Sequence, residues 1–293
     1  MYWRDLMDQA SKLRDLMSKT TKPHKGTHTV AVTSGKGGVG KSTLSANLAN
    51  ILALNGYKVA LFDADIGLAN LDVILNVRAE QNLLNVMRGE CEFSDIVINI
   101  KENLFLVPGE SGADIFKFND KFLFDKFMND ASVLEGIDYL IIDTGAGIGP
   151  ATQTFLDASD EVILVTTPDP AAITDAYAVI KASCAHRKRV FMLPNNVKSA
   201  QEAERIFSTI AGVVRRNVGD VGLEMLGYVP NDKVVMRSIK SRTLFSDDAP
   251  NTEPSVCLKD AASKLLYAVE QKMLDTSKEK SFAGFFKRLA EKF

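Results

Sequence analysis

The feature that most constrains the fold of this chain is a glycine-rich segment placed between a predicted strand and a predicted helix. Residues 28–34 form an apolar run rich in β-branched residues, and a helical pattern covers 42–55. Glycines in such a loop let successive backbone N–H groups point at phosphate oxygens, and the helix N-terminus adds partial positive charge. The residues of this predicted phosphate-binding loop are Gly35, Lys36, Gly37, Gly38, Val39, Gly40, Lys41, Ser42 and Thr43.

Two side chains of this loop are candidates for contact with a nucleoside triphosphate. We expect Lys41 to bridge the β- and γ-phosphates and the Ser42 hydroxyl to ligate Mg²⁺. A chance glycine-rich turn is the alternative, but the motif agrees with its strand and helix context. The sequence has no NKxD motif, which would read a guanine base, so ATP is favoured over GTP.

Apolar runs and helical patterns alternate along most of the chain. Further strands are predicted at 58–62, 104–107, 138–142, 161–166, 189–193 and 226–229. Further helices are predicted at 120–131, 150–158, 171–186, 199–216 and 256–274. This alternation predicts an α/β protein of the P-loop NTPase class, with a mostly parallel central β-sheet flanked by helices.

Two polar segments rich in Lys, Ser and Thr flank this α/β body. They divide the chain into segments whose boundaries define the predicted domains. These are an N-terminal helix at 1–18, a linker at 19–27, the P-loop ATPase domain at 28–274, a linker at 275–280 and a C-terminal amphipathic helix at 281–293.

Composition excludes several classes of protein. Of the 293 residues, 35 are Lys or Arg and 37 are Asp or Glu, so the net charge of −2 gives no strong signal for nucleic-acid binding. The three cysteines form no CxxC pair, which argues against a disulfide framework, a zinc site and an iron-sulfur scaffold. The sequence has no signal-peptide pattern and no apolar run of about 20 residues. We therefore expect a cytoplasmic protein that can still lie on a membrane surface.

Carboxylates follow two of the predicted strands. Asp63 and Asp65 come after 58–62, and Asp143 closes 138–142. The carboxyl ends of parallel strands lie beside the phosphate loop, so these side chains are expected near the bound nucleotide. Asp143 is predicted to hold Mg²⁺ through water, and the glycine-rich turn after it is predicted to move when the γ-phosphate leaves.

The second lysine of the loop, Lys36, makes the segment resemble the deviant Walker A motif of the ParA/MinD family of dimerising ATPases. The resemblance implies slow, switch-like ATP hydrolysis in an ATP-dependent homodimer, in which Lys36 reaches the nucleotide of the partner subunit. It implies that Asp65 orients the attacking water and that Asp63 supports the magnesium shell or the loop. Thr144-Gly145 stands where MinD usually has Ser-Pro, which points to a sister branch of MinD.

Two weaker motifs concern the adenine base. The family places an asparagine and a later G-x-x-P-x-D segment beside the base, which here correspond to Asn195 and to Gly227-Tyr228-Val229-Pro230-Asn231-Asp232. The resemblance implies base contacts by Asn195, Pro230 and Asp232. A turn rich in Asn and Pro explains the same residues without a ligand.

The C-terminal segment 281–293 has an aromatic stripe when it is drawn as a helix. The stripe contains Phe282, Phe285, Phe286, Leu289 and Phe293. A stripe of this kind with cationic flanks suits the anionic interface of a membrane, and it also resembles the membrane-targeting helix of MinD. Docking of the helix on the protein body is the alternative, and the two can coexist if the helix is tucked away in the monomer. Two helices in a dimer gain avidity, so ATP-driven dimerisation could switch attachment on.

The N-terminal segment 1–18 contains the sequence DQAxxLR. This sequence resembles the N-terminal motif of the FlhG (FleN, YlxH) branch of MinD-like ATPases, which sets flagellar number and position. The resemblance implies that the segment stimulates an FlhF-type GTPase. The residues implied in this activation are Asp8, Gln9, Leu13 and Arg14. An amphipathic helix packed on its own body is the alternative.

The resemblance thus predicts an ATPase that regulates flagellar number and placement from the inner membrane. Flagellar switch (C-ring) proteins and division proteins are further candidate partners. Three alternatives stay open: a MinD-type septum-site ATPase, a ParA-type partition ATPase, and a scaffold that binds ATP without hydrolysing it. Asp65-Ile66-Gly67 departs from the DxDPQ-like sequence of ParA proteins, which makes the partition role the less close match.

Overall fold

A computed structural model gives the fold of this chain. It describes residues 26–65, 70–109, 134, 136–183, 187, 189–219, 221–275 and 281–290. The predicted N-terminal helix at 1–18, the predicted helix at 120–131 and most of both linkers lie outside the described residues.

The centre of the molecule is one mostly parallel sheet. Its strands, in chain order β1 to β9, are His28–Ser34, Val59–Ala64, Ile98–Lys101, Leu104–Val107, Tyr139–Thr144, Glu161–Thr166, Val190–Val197, Leu223–Met225 and Val229–Pro230. The spatial order is β3-β4-β2-β5-β1-β6-β7-β8, with β9 paired to the end of β7. The strands pair in parallel except β3, which is antiparallel to β4. The predicted fold class is confirmed.

Helices cover both faces of the sheet. In chain order α1 to α11, the helices among the described residues are Lys41–Leu54, Leu71–Ile74, Leu83–Met87, Phe93–Ile96, Pro150–Ala158, Pro170–Ser183, Ala200–Asn217, Lys233–Ser241, Phe245–Asp248, Glu253–Asp275 and Phe282–Ala290. The phosphate loop joins β1 directly to α1, as the motif predicts.

Alternate side chains of each strand point to opposite faces and form separate cores. Val30 and Val32 of β1 pack with α1, α9 and α10 on one face. On the other face, Phe62 of β2 packs with α5 and α11. The central strands are buried along their whole length, which explains why they are continuous apolar runs in the sequence.

The structure differs from the predicted elements at several places. Strand β3 and the helices α2, α3, α4, α8 and α9 are absent from the sequence prediction. The predicted strand 226–229 is wrong: β8 ends at Met225, and β9 covers only Val229–Pro230. At Gly227 the backbone passes so close to α10 that an added Cβ would lie 3.1 Å from the Ala261 side chain. This turn toward α10 interrupts the strand.

Candidate nucleotide-binding site

The phosphate loop has the backbone that its glycines predict. Gly38 and Gly40 adopt φ angles of +79° and +90°, a left-handed conformation that other residues rarely adopt. A Cβ on Gly40 would collide with the amide of Asn195, and a Cβ on Gly35 would collide with the backbone of Asp175. The loop is therefore closely packed as well as conformationally restricted, and it leads into the N-terminus of α1 at Lys41.

Lys41 lies at the centre of a buried polar cluster. Its Nζ is 2.9 Å from Oδ1 of Asp143 and 3.6 Å from Oδ2 of Asp65. The Ser45 hydroxyl, one helical turn after Lys41, donates to the same Oδ1 of Asp143 over 2.8 Å. Asp143 is fully buried, and its Oδ2 has no hydrogen-bond partner among the described residues. The predicted neighbourhood of Lys41, Asp65 and Asp143 is present.

Asp63 has a different environment from Asp65. Its carboxylate accepts hydrogen bonds from the backbone N–H groups of Asp65, Asn70 and Leu71. Burial raises the pKa of Asp63 to about 6, even though these three donors favour its charged form. Of the two roles predicted for Asp63, these contacts support the loop role, because they fix the chain on either side of residues 66–69.

Asp65 is more exposed than the other two carboxylates of the site, Asp63 and Asp143. Its side chain is 18% exposed, and it faces the Lys41 ammonium. Partial burial raises the pKa of Asp65, and the charge of Lys41 opposes that shift. A carboxylate that is reachable from solvent and held by a lysine can orient a water molecule beside the phosphates.

The residues predicted to contact the adenine lie near the loop but have protein partners. The Asn195 amide donates to the Val39 carbonyl over 2.8 Å, so it fastens the end of β7 to the phosphate loop. The Asp232 carboxylate accepts from the Val234 N–H and caps α8. Pro230 belongs to β9, which pairs with Val197 of β7. Their contact with a base stays a prediction.

Lys36 has a partner within its own chain. Its Nζ lies 2.8 Å from Oδ2 of Asp169, and this contact raises the pKa of Lys36 and lowers the pKa of Asp169. Both side chains are close to half exposed, so solvent screens the pair. The lysine that the family resemblance directs to the nucleotide of the partner subunit is ion-paired here with Asp169 of its own chain.

The residues present fit a nucleotide with Mg²⁺. The orphaned Oδ2 of Asp143 is a buried anionic acceptor, and hard oxygen donors of this kind suit Mg²⁺. The Ser42 hydroxyl lies 3.4 Å from Nζ of Lys41, in the first turn of α1. The loop, the helix N-terminus and Lys41 supply positive potential for phosphates.

Two residues of the site were missed by sequence reasoning. Ser45 could have been found, because it follows Lys41 by four residues and so lies on the same face of α1. Asp169 follows β6 at its carboxyl end, and the rule that identified Asp63 and Asp143 applies to it equally. Both residues could therefore be identified from their positions in the sequence, although neither belongs to the phosphate-loop motif.

The C-terminal helix α11 is docked on the body. Phe285, Phe286 and Leu289 are buried in the same core as Phe62. The rings of Phe286 and Phe62 have centroids 5.8 Å apart, and the Arg288 guanidinium donates to the carbonyl of Ala158 at the end of α5. The apolar face predicted for membrane contact is covered by the protein in this conformation.

Some predicted functional residues cannot be placed. The partner-activating residues Asp8, Gln9, Leu13 and Arg14 lie outside the described residues, as do the side chain of Phe282 and the whole of Phe293. Among the described helices, none combines the length and the hydropathy needed to cross a bilayer.

Most of this chain is similar in sequence to known proteins. The family model described as ParA, NUBPL iron-transfer P-loop NTPase, matches residues 25–266. The flagellum site-determining protein YlxH of Helicobacter pylori is 42% identical over 288 residues, which covers 96% of this chain and 98% of the relative. The antiactivator FleN of Pseudomonas aeruginosa is 35% identical over 80% of this chain and 85% of its own length.

Solved structures give the same picture of the fold. The MinD cell division protein of Aquifex aeolicus superposes with a TM-score of 0.65 at 26% identity, covering 82% of this chain and 97% of that protein. The match spans nearly all of the relative, so the central sheet and its helices form one shared architecture.

Proposed function

Because this chain belongs to the ParA family of P-loop NTPases and to its MinD-like flagellar branch, we propose that it is an ATP hydrolase that controls flagellar number and placement. The observation that carries the proposal is the cluster of Lys41, Asp65 and Asp143 at a complete phosphate loop. Its setting is a chain 42% identical, over 96% of its length, to a flagellum site-determining protein.

The residues of the cluster have distinct proposed roles in hydrolysis. Lys41 would hold the β- and γ-phosphate oxygens, and Asp143, whose Oδ2 has no partner among the described residues, would help to hold Mg²⁺ together with the Ser42 hydroxyl. Asp65 orients the attacking water. When bound, Mg²⁺ would supply positive charge that reduces the repulsion between the phosphates and the incoming oxygen. Lys36, once it leaves Asp169, supplies a cation to the partner subunit's nucleotide in an ATP-dependent homodimer.

Membrane binding is proposed to require release of α11. Its buried aromatic face cannot contact lipid while it packs against Phe62. The surface around Phe62 and Phe155 on which α11 packs is its seat. The described basic residues of α11, Lys287 and Arg288, favour an anionic surface once the helix leaves this seat. One such helix binds weakly, whereas two helices in a dimer bind with avidity. The protein is then cytoplasmic as a monomer and reversibly peripheral on the inner membrane as a dimer.

The N-terminal segment 1–18 is proposed to act on a second enzyme. On the family resemblance, Asp8, Gln9, Leu13 and Arg14 stimulate an FlhF-type GTPase. The proposal predicts that a peptide of residues 1–18 raises the GTPase rate of such a partner and that a Gln9→Ala peptide does not. Equal stimulation by both peptides would remove Gln9 from the mechanism.

The experiment that tests the function replaces the native gene with one encoding Lys41→Ala. Flagella, minicells and cells without DNA are counted in the same population. Extra or misplaced flagella support the proposal. Minicells with normal flagella would support the septum-site function instead, and loss of DNA with normal flagella would support partition.

A companion variant separates an enzyme from a scaffold. Asp65→Ala is expected to keep ATP binding and to lose turnover, together with flagellar control. If flagellar number stays normal while turnover is lost, ATP binding alone is the function and the proposed role of hydrolysis is wrong.

A further inference from the structure

Helix α8 carries a surface that the nucleotide site does not use. Met236 and Ile239 are large apolar residues that are 57% and 46% exposed. Lys233, Arg237 and Lys240 form a cationic stripe beside them, because their spacing places them on one side of the helix. We propose that this solvent face of α8 is the docking surface for an acidic, amphipathic segment of another protein.

The charges of this surface lack partners within the described chain. None of Lys233, Arg237, Lys240 and Arg242 forms an ion pair with a described carboxylate. No acidic residue occurs between Asp232 and Asp247. By contrast, Lys101 lies 2.6 Å from Asp247 and Arg189 lies 2.8 Å from Glu161. A concentrated stripe of unpaired cations complements acidic side chains on a partner.

The position of α8 favours a protein over a lipid surface. Val234 and Val235 of α8 pack on the sheet face that carries α1 and α10, whereas α11 packs on the opposite face. Helix α8 is fixed to the body, and its two exposed apolar side chains offer a bilayer far less apolar area than the aromatic stripe of a released α11 would, whereas two such side chains can anchor a protein segment.

Both ends of α8 are tied to the nucleotide site. At its start, Asp232 caps the helix immediately after β9, which pairs beside Asn195. At its end, α9 follows, and the Ser246 hydroxyl and N–H donate to Asn47 of α1. The Asn50 amide donates to the Ser246 hydroxyl over 2.7 Å. A partner on α8 would thus contact a segment that is fastened to the phosphate-loop helix.

The test begins with a photo-cross-linking amino acid at Ser241, which is exposed at the end of α8. Cells producing the full chain are irradiated, and the cross-linked peptide is sequenced by mass spectrometry. The proposal expects a protein segment that is acidic and amphipathic. Arg237→Glu with Lys240→Glu should reduce the cross-link about tenfold, while Arg205→Glu with Arg215→Glu, an equal charge change on α7, should leave it within about twofold.

A charge swap makes the test decisive. Acidic residues of the captured segment are changed to lysine, and this variant should restore the cross-link to the Arg237→Glu, Lys240→Glu protein. A cross-link that ignores both charge reversals, or that joins two copies of this chain, overturns the proposal. Loss of binding to phosphatidylglycerol vesicles in the double reversal, with no protein cross-link, would assign the surface to the membrane instead.

A second, independent observation concerns Ser45. Its hydroxyl donates to Oδ1 of Asp143 over 2.8 Å, and Lys41 donates to the same oxygen, so both donors hold one side of the carboxylate. Oδ2 of Asp143 has no partner among the described residues. We infer that Ser45 is a positioning residue that directs Oδ2 of Asp143 toward Mg²⁺. This inference rests on the nucleotide-binding function proposed above.

The test measures the Mg²⁺ concentration that half-saturates tight binding of a fluorescent ADP. For Ser45→Ala we expect this concentration to rise about tenfold, because Asp143 loses a hydrogen bond to its charged form. ADP affinity in EDTA should stay within about twofold. Ser45→Thr keeps the hydroxyl and should restore the Mg²⁺ dependence. Ser255→Ala, which removes a buried hydroxyl from α10, is the matched control.

Each outcome assigns a definite role to Ser45. An unchanged Mg²⁺ dependence in Ser45→Ala overturns the positioning role. Equal loss of affinity with and without Mg²⁺ would mean that Ser45 only supports the loop, which also overturns it. Failure of the wild-type protein to bind ADP at all would refute the proposed function itself, which is a distinguishable result.

Discussion

The phosphate-loop site and the seat of α11 adjoin the same strands but differ in how complete they are. At the site, buried Asp143 has an oxygen without a partner among the described residues, and Lys41 bridges two carboxylates. At the seat, Phe286 and Phe62 pack ring against ring, and Arg288 satisfies a helix-end carbonyl. The phosphate-loop site has a polar group left for a ligand to bind, whereas the seat is already covered by α11 of the same chain.

The difference suggests how the two regions communicate. Phe62 of the seat immediately precedes Asp63, which organises the loop after β2, and α5 of the seat follows the glycine-rich turn after Asp143. If a bound nucleotide moves either of these two loops, the same movement would disturb the packing under α11. The seat is therefore placed to respond to the nucleotide, and a change made in one region can be measured in the other.

The largest effect is expected from Lys41→Ala. Removal of the ammonium deletes the proposed phosphate contact and leaves Asp143 buried with only Ser45 as a donor among the described side chains. We expect affinity for a fluorescent ATP analogue to fall about a thousandfold. Lys36→Ala, a change in the same loop at an exposed position, should keep affinity within about threefold. Retained binding by the Lys41 variant would contradict the site.

Deletion of residues 281–293 tests both the docking of α11 on its seat and the proposed membrane contact of this helix. We expect loss of ATP-dependent binding to anionic vesicles, with no loss of nucleotide affinity. The deletion also uncovers Phe62 and Phe155, so the melting temperature should fall, since each buried aromatic or leucine side chain is worth about 2 kcal/mol. If melting is unchanged, α11 is not docked in solution. Lys287→Ala, on the exposed side of α11, is the control for stability.

How far the sequence predicts these regions depends on how local the determinants are. The phosphate loop is predictable because adjacent residues from Gly35 to Thr43 contain the whole requirement for binding phosphate. The choice between the two roles predicted for Asp63 is not predictable in this way, because its donors Asn70 and Leu71 come seven and eight residues later in the chain. Strand β3 could not be predicted because it is a short, partly exposed edge strand without a buried run.

The aromatic stripe of α11 shows a second limit of prediction from the sequence. An aromatic helical face predicts that something apolar covers it, and lipid and protein satisfy that requirement equally. The pattern of Phe285, Phe286 and Leu289 therefore predicts a buried face correctly without identifying what buries it. The fold is needed to show that the apolar surface around Phe62 covers this stripe.

A smaller change at the seat tests release without deleting the helix. Arg288→Lys keeps the charge for the membrane but loses the guanidinium geometry that reaches the Ala158 carbonyl. One such hydrogen bond contributes about 1 kcal/mol, so binding of the nucleotide-free protein to anionic vesicles should rise about fivefold. Lys287→Arg is the matched control and should change little. Weaker vesicle binding by Arg288→Lys would argue against a seat that competes with the membrane.

The smallest effect is expected from breaking the ion pair between Lys36 and Asp169. Asp169 holds Lys36 in an ion pair within its own chain, whereas the proposed dimer needs Lys36 at the partner subunit's nucleotide. Because the pair is screened by solvent, Asp169→Asn should strengthen ATP-dependent dimerisation by no more than about fivefold, measured by light scattering across a range of protein concentrations. Lys36→Ala should weaken dimerisation, and the double variant should resemble Lys36→Ala alone. If Asp169→Asn weakens dimerisation while Lys36 is present, Asp169 holds the lysine in the position that dimerisation needs. The nucleotide site would then contain a contact that the chain fills by itself, as α11 fills its seat.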